Sequence, residues 1–253
     1  MNGEREIAEI TLDVRDLDRV AAFYRDVIGL ALISESDGSV QLGAGDDAFL
    51  TLRARPGAAP RRADQPGLYH TAFLLPNRAA LGGWLHHAAR DQIELDGASD
   101  HGVSEALYLT DPEGNGIEIY ADRPASEWQR RGARVEMTTK PLDLRDVMAA
   151  GDRWQGAPAA TRIGHVHLAV ADVGAARAFF TETLGLTETF DAPSAAWFGW
   201  DGYHHHFAAN SWHSAGARRP EAPHTGLAEI TLRGIHLPKG LTGPDGVIYR
   251  GTA

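Results

Sequence analysis

Apolar and polar residues alternate along residues 7–15, which is the pattern of a half-buried β-strand. Asp16 can cap the start of a helix after this strand, apolar residues then recur with helical spacing, and Gly29 ends the pattern. Short strand-like segments follow, separated by turn residues, at 31–36, 39–42 and 48–53. The start of the chain is therefore predicted to fold as one βαβββ unit.

The same pattern occurs again at a constant offset of 156 positions. IAEITLDVRDLDRVAAFYRDVIGL begins at Ile7, and IGHVHLAVADVGAARAFFTETLGL begins at Ile163. A repeat at this spacing indicates a duplicated structural unit. The two copies differ at one position of chemical interest, which is Glu9 in the first copy and His165 in the second.

Two further segments resemble each other and complete the series. One begins with a strand pattern at 67–73 and continues through a predicted helix at 78–90 to a hairpin around the turn at 111–116. The other begins at 226–232 and ends with a similar turn at 244–246. It is shorter, and the stretch that it lacks corresponds to the helix and a nearby strand. The fourth unit is therefore predicted to be truncated.

These units define the predicted architecture. Residues 55–66, rich in Pro, Arg and Ala, are interpreted as an exposed linker, and a helix is expected near 144–150 within a segment that lacks clean periodicity. We predict an α+β fold of four tandem βαβββ modules, the last truncated, which form curved mixed sheets around a metal site. The predicted division is a first pair of modules at 1–125, a bridging segment at 126–160 and a second pair at 161–253.

Composition narrows the classes of function. The formal net charge of −10 argues against a nucleic-acid partner, which would require a basic surface. The chain has no cysteine, so disulfides and thiolate metal sites are excluded. It has no apolar run long enough for a membrane span, and the charged N-terminal sequence does not resemble a signal peptide. We therefore expect a cytoplasmic protein with no membrane partner.

The chain resembles the vicinal oxygen chelate superfamily, which contains glyoxalases, extradiol ring-cleavage dioxygenases and antibiotic-sequestering proteins. The resemblance lies in the four units, in strand openings such as GHVHLAV at 164–170, and in the closing sequence DPEGNGIEIY at 111–120. The segment HGVSEALYLTDPEGNGIEIYADRP at 101–124 is similar to the last ligand-bearing segment of type I extradiol dioxygenases. The overall order, including YHHH at 203–206, resembles the catechol-2,3-dioxygenase subgroup found in bacilli.

This resemblance implies a metal site between units two and three. His70 on the first strand of unit two and Glu118 on its last strand can converge on the concave face of a curved sheet. His165 occupies in unit three the place that His70 has in unit two. Two histidines and one carboxylate form a facial triad that suits Fe(II), with Mn(II) as an alternative, and leaves positions open for substrates.

The resemblance also implies a second pairing, between units one and four. The corresponding positions hold Glu9, Leu50 or Thr51, Glu229 and Arg250. These positions include no histidine, and an arginine replaces the closing glutamate. We therefore predict that this second site binds no metal.

Catalytic residues are assigned on the same basis. Type I extradiol enzymes place an acid/base histidine on the last strand of unit three, which favours His205; strand alternation would turn His204 and His206 to the opposite face. The alternative for this triplet is a solvent-facing histidine cluster. His101 and Tyr108 match residues that would steady a developing oxyanion. Four aromatic residues are interpreted either as cavity walls or as core residues: Phe73, Trp197, Phe198 and Trp200.

The predicted function is metal-dependent extradiol cleavage of an aromatic diol by dioxygen. One alternative is a glyoxalase-like isomerase or lyase with Ni(II) or Zn(II), which would require a carboxylate from unit three such as Asp201. The other is a metal-free protein that binds or sequesters a small molecule, and a dioxygenase for a non-catechol diol is also compatible with the shortened fourth unit. That unit leaves a sheet edge, so a homodimer that covers the edge is expected.

Overall fold

A computed structural model describes residues 5–218 and 223–252 of the chain, and units one, two and three each form a βαβββ unit. Unit one consists of β1 (Glu6–Val14), α1 (Leu17–Phe23), β2 (Ala31–Ser36), β3 (Ser39–Ala44) and β4 (Asp47–Ala54). Unit two consists of β5 (Gly67–Leu74), α2 (Arg78–Arg90), β6 (Gly97–Asp100), β7 (Ser104–Thr110) and β8 (Gly116–Asp122).

The second half of the chain repeats this order after a bridging segment. That segment contains a 3₁₀ turn (Ala125–Glu127), β9 (Arg130–Arg131), β10 (Arg134–Val135), β11 (Lys140–Pro141) and α3 (Leu144–Ala149). Unit three consists of β12 (Arg162–Ala169), α4 (Val173–Ala178), β13 (Thr187–Ala192), β14 (Ala195–Gly199) and β15 (Phe207–Asn210). Unit four has β16 (Gly226–Arg233), β17 (Leu241–Thr242) and β18 (Ile248–Thr252), with no helix among its described residues.

The helices of units one and three begin and end in the same way. An aspartate caps each N-terminus with its side chain, Asp16 in α1 and Asp172 in α4. A π-helical turn follows each helix, at Tyr24–Ile28 and at Phe179–Thr183. Gly29, with a φ of 86°, ends the first of these turns in the left-handed conformation that glycine tolerates.

The units combine into two curved sheets, each of which takes strands from both halves of the chain. Units four and one share a seven-stranded sheet with the order β17-β18-β16-β1-β4-β3-β2. Units two and three, with one bridging strand, share a nine-stranded sheet with the order β11-β6-β7-β8-β5-β12-β15-β14-β13. The first strands of paired units lie side by side and antiparallel, as β1 with β16 and β5 with β12. The predicted α+β fold with a truncated fourth unit is confirmed, whereas the predicted domain boundaries stay a prediction.

Alternation along the strands separates a hydrophobic core from a polar concave face. On β8, Ile117 and Ile119 join the main core, while Glu118 and Tyr120 lie outside that cluster. The predicted linker at 55–66 is largely exposed, but Arg61 within it is partly buried. No helix among the described residues is long and apolar enough to cross a membrane.

Candidate metal centre

Three adjacent strands of the nine-stranded sheet bring the predicted metal ligands together. Glu118 on β8 pairs with Ala72 on β5, and Ala72 pairs in turn with His165 on β12. His70 precedes Ala72 by two positions, so both side chains lie on the same face of β5. Since Ala72 has only a methyl group, the space between the three larger side chains is left open.

The geometry of the three side chains fits a metal ion. The Nε2 atom of His70 lies 3.0 Å from Oε2 of Glu118, and the Nε2 atom of His165 lies 3.2 Å from the same oxygen. The two Nε2 atoms are 3.4 Å apart. Adjacent ligands of a metal with bonds of about 2.0–2.2 Å lie about 3 Å from one another, so a single ion can reach all three atoms. Two imidazoles and a carboxylate are the donor set of non-haem Fe(II) sites.

Burial favours the metal-binding form of His165. It lowers the pKa of this imidazole from 6.5 to about 4, although the Glu118 carboxylate acts in the opposite direction. A neutral imidazole has the lone pair that a metal requires. The Nδ1 atom of His165 is buried and has no hydrogen-bond partner among the described residues. No hydrogen bond from these residues to Nδ1 therefore fixes the orientation of the ring.

Tyr108 and His101 lie together beside the triad. Tyr108 on β7 is directly opposite Glu118, and its hydroxyl lies 2.7 Å from Nε2 of His101. The Nδ1 atom of His101 donates to the Thr138 carbonyl at 2.7 Å, so in the tautomer with its one proton on Nδ1 the Nε2 atom can accept from Tyr108. Burial, with the nearby Glu118 carboxylate, raises the pKa of Tyr108, which keeps this hydroxyl protonated.

His205 lines the same cavity as the triad. The centroid of its ring is 4.1 Å from that of His165. Burial, with a further contribution from His165, lowers the pKa of His205 well below 6.5. His204 is 0% and His205 8% exposed, so the interpretation as a solvent-facing cluster is wrong for these two residues.

The predicted strand position of the histidine triplet is wrong. β15 begins only at Phe207, after a turn in which Asp201 and Gly202 have φ values of 51° and 80°. Because the chain is not extended there, strand alternation does not apply, and the Nδ1 atoms of His204 and His205 lie 2.8 Å apart rather than on opposite faces. His206 packs instead against Trp200.

A cavity of about 680 Å³ opens in front of these residues. Of the four aromatic residues considered, Trp197 lines the cavity, whereas Phe73, Phe198 and Trp200 belong to the main core. The other apolar walls include Tyr69, Val103, Met137, Phe190 and Trp212. The linker and the bridging segment also contribute, with Arg61 and Thr138 respectively.

His167 was not identified from the sequence. It is buried on β12 two residues after His165, lines the cavity, and its ring centroid is 4.9 Å from that of His70. Asn210 donates to its Nε2 atom at 2.9 Å, and burial lowers its pKa well below 6.5. The alternation His-Val-His could have indicated it, because residues two apart on a strand share a face.

The corresponding face of the seven-stranded sheet carries paired charges. Glu229 accepts from Nη1 of Arg53 at 3.0 Å and from Nε of Arg250 at 2.6 Å, while Thr51 donates to Glu9. Within the described ranges, only His70, Glu118 and His165 form a group of three histidine or carboxylate side chains with ligand atoms all within 4.8 Å of one another. The prediction of no metal at the second site stays a prediction.

Sequence comparison supports a relationship to dioxygenases. The chain is 41% identical over 231 residues to the catechol-2,3-dioxygenase of Bacillus subtilis (strain 168), covering 88% of this chain and 80% of that protein. It is 28% identical over 123 residues to biphenyl-2,3-diol 1,2-dioxygenase 3 of Rhodococcus globerulus, covering 47% of this chain and 65% of that protein. These relatives are oxidoreductases by name.

Structural comparison and a family profile agree with the fold. A glyoxalase I mutant from Zea mays superposes with a TM-score of 0.57 at 15% identity, covering 98% of this chain and 92% of that chain. The profile of the Glyoxalase/Bleomycin resistance protein/Dioxygenase superfamily matches residues 6–119 and 162–236. The resemblance inferred from the repeat and its motifs is confirmed. Since the profile covers more than half of the sequence and the fold agrees with it, the chain belongs to the glyoxalase/bleomycin resistance protein/dioxygenase superfamily.

Proposed function

We propose that the chain is a metal-dependent extradiol dioxygenase, which opens the ring of an aromatic diol beside its two hydroxyl groups with dioxygen. The observation that carries this proposal is the convergence of His70, Glu118 and His165 on the wall of one cavity. Tyr108 and His205 line that same cavity. The names of the relatives, a catechol dioxygenase and a biphenyl-diol dioxygenase, support the same reaction class.

The three ligand side chains would hold Fe(II), or Mn(II), on one side and leave the cavity side open. The bound metal would supply positive charge and open coordination positions for the adjacent oxygens of the diol. Glu118 contributes the only negative charge of the set, so a singly ionised diol would neutralise the remaining charge in this buried place. A diol would also occupy two of the open positions with its adjacent oxygens, which a monoalcohol cannot do.

Two cavity residues would accept or donate protons during the reaction. His205 is neutral near pH 7 because burial lowers its pKa, so it can accept a proton from a diol hydroxyl and later return it. His101 holds the Tyr108 hydroxyl beside the ligands, from where it can turn its proton toward negative charge that develops on a substrate oxygen. Both roles follow from the position of each group relative to the triad.

The cavity favours a flat apolar substrate. Its volume of about 680 Å³ falls within the usual range of about 300–1,000 Å³ for small-molecule sites, so substituted diols as well as catechol itself would fit. Tyr69, Trp197 and Trp212 line it with aromatic surface. The proposed substrate class therefore includes diols other than catechols.

The alternative functions have less support. An isomerase or lyase would require a carboxylate ligand from unit three, but the candidate Asp201 is 59% exposed and pairs with Arg5. A metal-free binding protein would have no need for three buried ligands, all with donor atoms within 4.8 Å of one another. We also propose a cytoplasmic location, because a chain without cysteine gains no disulfide from an oxidising compartment.

Anaerobic reconstitution tests the proposal directly. The purified protein would be loaded with Fe(II) or Mn(II), metal content measured, and oxygen uptake followed with a panel of substituted catechols. We expect one equivalent of metal, oxygen consumption and a yellow ring-opened product. Metal binding without oxygen uptake across the panel would contradict the dioxygenase assignment and favour isomerase chemistry.

Substitution of the ligands tests the site itself. We expect His70→Ala and Glu118→Ala each to abolish both metal retention and turnover, because the remaining two ligands cannot hold the ion. The matched control is His86→Ala, which removes an exposed histidine on α2 that bonds to the Met148 carbonyl. Retained activity in either ligand variant would show that the metal lies elsewhere.

A further inference from the structure

A chain of hydrogen bonds runs behind His205, on the side away from the cavity. Oδ1 of Asp122 lies 2.8 Å from Nε2 of His204, and Nδ1 of His204 lies 2.8 Å from Nδ1 of His205. His204 is 0% exposed and is not among the residues that line the cavity. These contacts join a carboxylate to the proposed proton-accepting residue through one intervening imidazole.

The direction of each hydrogen bond follows from the chemistry of its partners. A carboxylate can only accept, so Nε2 of His204 donates to Asp122. With its one ring proton on Nε2, His204 has a lone pair on Nδ1 and can only accept there. The Nδ1 atom of His205 must therefore donate, which leaves the lone pair of His205 on Nε2.

We infer that Asp122 and His204 are positioning residues that fix the tautomer of His205, holding its proton on Nδ1 and presenting the Nε2 lone pair to the cavity. The catalytic consequence rests on the proposed function, because only a base facing the substrate needs that lone pair. The tautomer itself does not depend on any reaction. In the Ser-His-Asp triad, a buried aspartate fixes the tautomer of a catalytic histidine by the same logic.

The surroundings hold these groups in place. The Tyr203 hydroxyl donates to Oδ2 of Asp122 at 2.8 Å, which fixes the plane of the carboxylate. The rings of Tyr203 and Trp128 pack against His204 with centroids 4.1 Å and 5.0 Å away. Asp122 is also the last residue of β8, four positions after Glu118 and on the same face, so one strand supplies both a metal ligand and this carboxylate.

Asp122→Asn is the most direct perturbation, because asparagine keeps the shape of the aspartate side chain but replaces one acceptor oxygen with an NH₂ donor. With the Tyr203 hydroxyl directed at the position of Oδ2, the amide oxygen is favoured on that side and the amide NH₂ faces His204. Nε2 of His204 must then accept, so the proton of His204 moves to Nδ1, which donates to Nδ1 of His205. The proton of His205 therefore moves to Nε2. Asp122→Glu keeps a carboxylate and should restore part of the native state.

Nuclear magnetic resonance of the imidazole nitrogens measures the tautomer without any turnover. The full chain would be labelled with ¹⁵N-histidine and loaded with diamagnetic Zn(II), and the His205 signals would be assigned by their loss in His205→Ala. We expect a protonated Nδ1 and an unprotonated Nε2 in the unsubstituted protein, with the reverse in Asp122→Asn. The control His206→Gln changes the neighbouring histidine, which contacts Trp200, and should leave the His205 signals unchanged.

Kinetics then tests the consequence. We expect Asp122→Asn to lower kcat by about 10²-fold while KM changes by less than about threefold, because the variant alters a proton acceptor and not the cavity wall. His206→Gln should leave both constants unchanged. If Asp122→Asn does not fold, His204→Phe removes the acceptor for Nδ1 of His205 and should give the same loss.

The possible outcomes are distinguishable. A protonated Nε2 on His205 in the unsubstituted protein, or an unchanged tautomer in Asp122→Asn, would overturn the inference whether or not the protein is a dioxygenase. The expected tautomers in a protein that consumes no oxygen with any diol would instead overturn the proposed function alone. A fall in kcat for His206→Gln equal to that for Asp122→Asn would show that the effect is merely structural.

Discussion

Tyr108 illustrates how a single side chain at this site depends on a distant segment. Its hydroxyl contacts His101, and the Thr138 carbonyl of the bridging segment fixes the orientation of that imidazole at 2.7 Å. The hydroxyl is thereby held beside Glu118, its cross-strand neighbour. Burial, with the Glu118 carboxylate, raises the pKa of Tyr108, so the hydroxyl keeps its proton in the metal-free protein. Its proposed role is therefore to donate a hydrogen bond.

Tyr108→Phe tests that role. We expect kcat to fall by about 10²-fold while the metal content stays at the level of the unsubstituted protein, because the hydroxyl donates to developing charge and does not hold the ion. Steady-state oxygen uptake and metal analysis measure the two quantities. Tyr69→Phe is the matched control, since Tyr69 also lines the cavity but is 39% exposed. Loss of metal from Tyr108→Phe would contradict the assignment.

Among the elements, the close approach of β5 and β8 determines whether the triad forms. Gly116, the first residue of β8, pairs with His70, and a Cβ atom at Gly116 would lie 2.1 Å from the Tyr69 carbonyl oxygen. Such a contact would force the two strands apart at the position of a proposed metal ligand. The absence of a side chain at this position therefore has a structural reason.

We predict that Gly116→Ala weakens metal binding and lowers the free energy of unfolding by about 1–3 kcal/mol, because a methyl group must displace the backbone of β5. Metal titration and urea unfolding of the metal-free protein would measure the two effects. Gly57→Ala is the control, because nothing lies within 4 Å of a Cβ atom at that exposed position. Equal metal affinity in both variants would show that the strands tolerate the separation.

At the scale of the whole molecule, burying several histidines couples folding to pH. Burial lowers the pKa of His165 from 6.5 to about 4 and that of His206 from 6.5 to about 3. The unfolded chain takes up protons on these residues below about pH 6.5, whereas the folded protein does not until lower pH. The metal-free fold therefore loses stability as the pH falls from about 6.5 toward 4.

Each such histidine contributes a slope of up to about 1.4 kcal/mol per pH unit within that window. We predict that the free energy of unfolding of the metal-free protein is lower at pH 5.5 than at pH 7.5, as measured by urea unfolding. His206→Gln removes one of these titrating groups and should reduce the slope of unfolding free energy against pH by up to about 1.4 kcal/mol per pH unit. A free energy of unfolding that is constant over this pH range would contradict the conclusion that these buried histidines stay neutral in the folded protein.

The expected homodimer also concerns the whole molecule, and it stays a prediction. The two-residue strand β17 forms one edge of the seven-stranded sheet, where the truncated fourth unit ends. An exposed edge is available for pairing with a second chain. Sedimentation or size-exclusion measurements would determine the oligomeric state, and a monomer would exclude this role for the edge.

The sequence alone determined the repeat and the order of elements within the units, because strand alternation and a constant offset can be read directly along the chain. The pairing of units that brings the three predicted ligands together followed from the resemblance to the superfamily. His70 and His165 were identifiable since they occupy equivalent positions of duplicated units, and Glu118 since it closes a unit with a recognisable turn.

Only the tertiary structure decided the surroundings of that centre. The contact of His204 with His205 depends on the turn at Asp201, where a positive φ interrupts the extended backbone and strand alternation no longer holds. The support of His101 by Thr138 depends on how the bridging segment folds back over unit two. That Trp197 lines the cavity while Phe73, Phe198 and Trp200 lie in the core depends on packing between units. These are long-range contacts, and local periodicity carries no information about them.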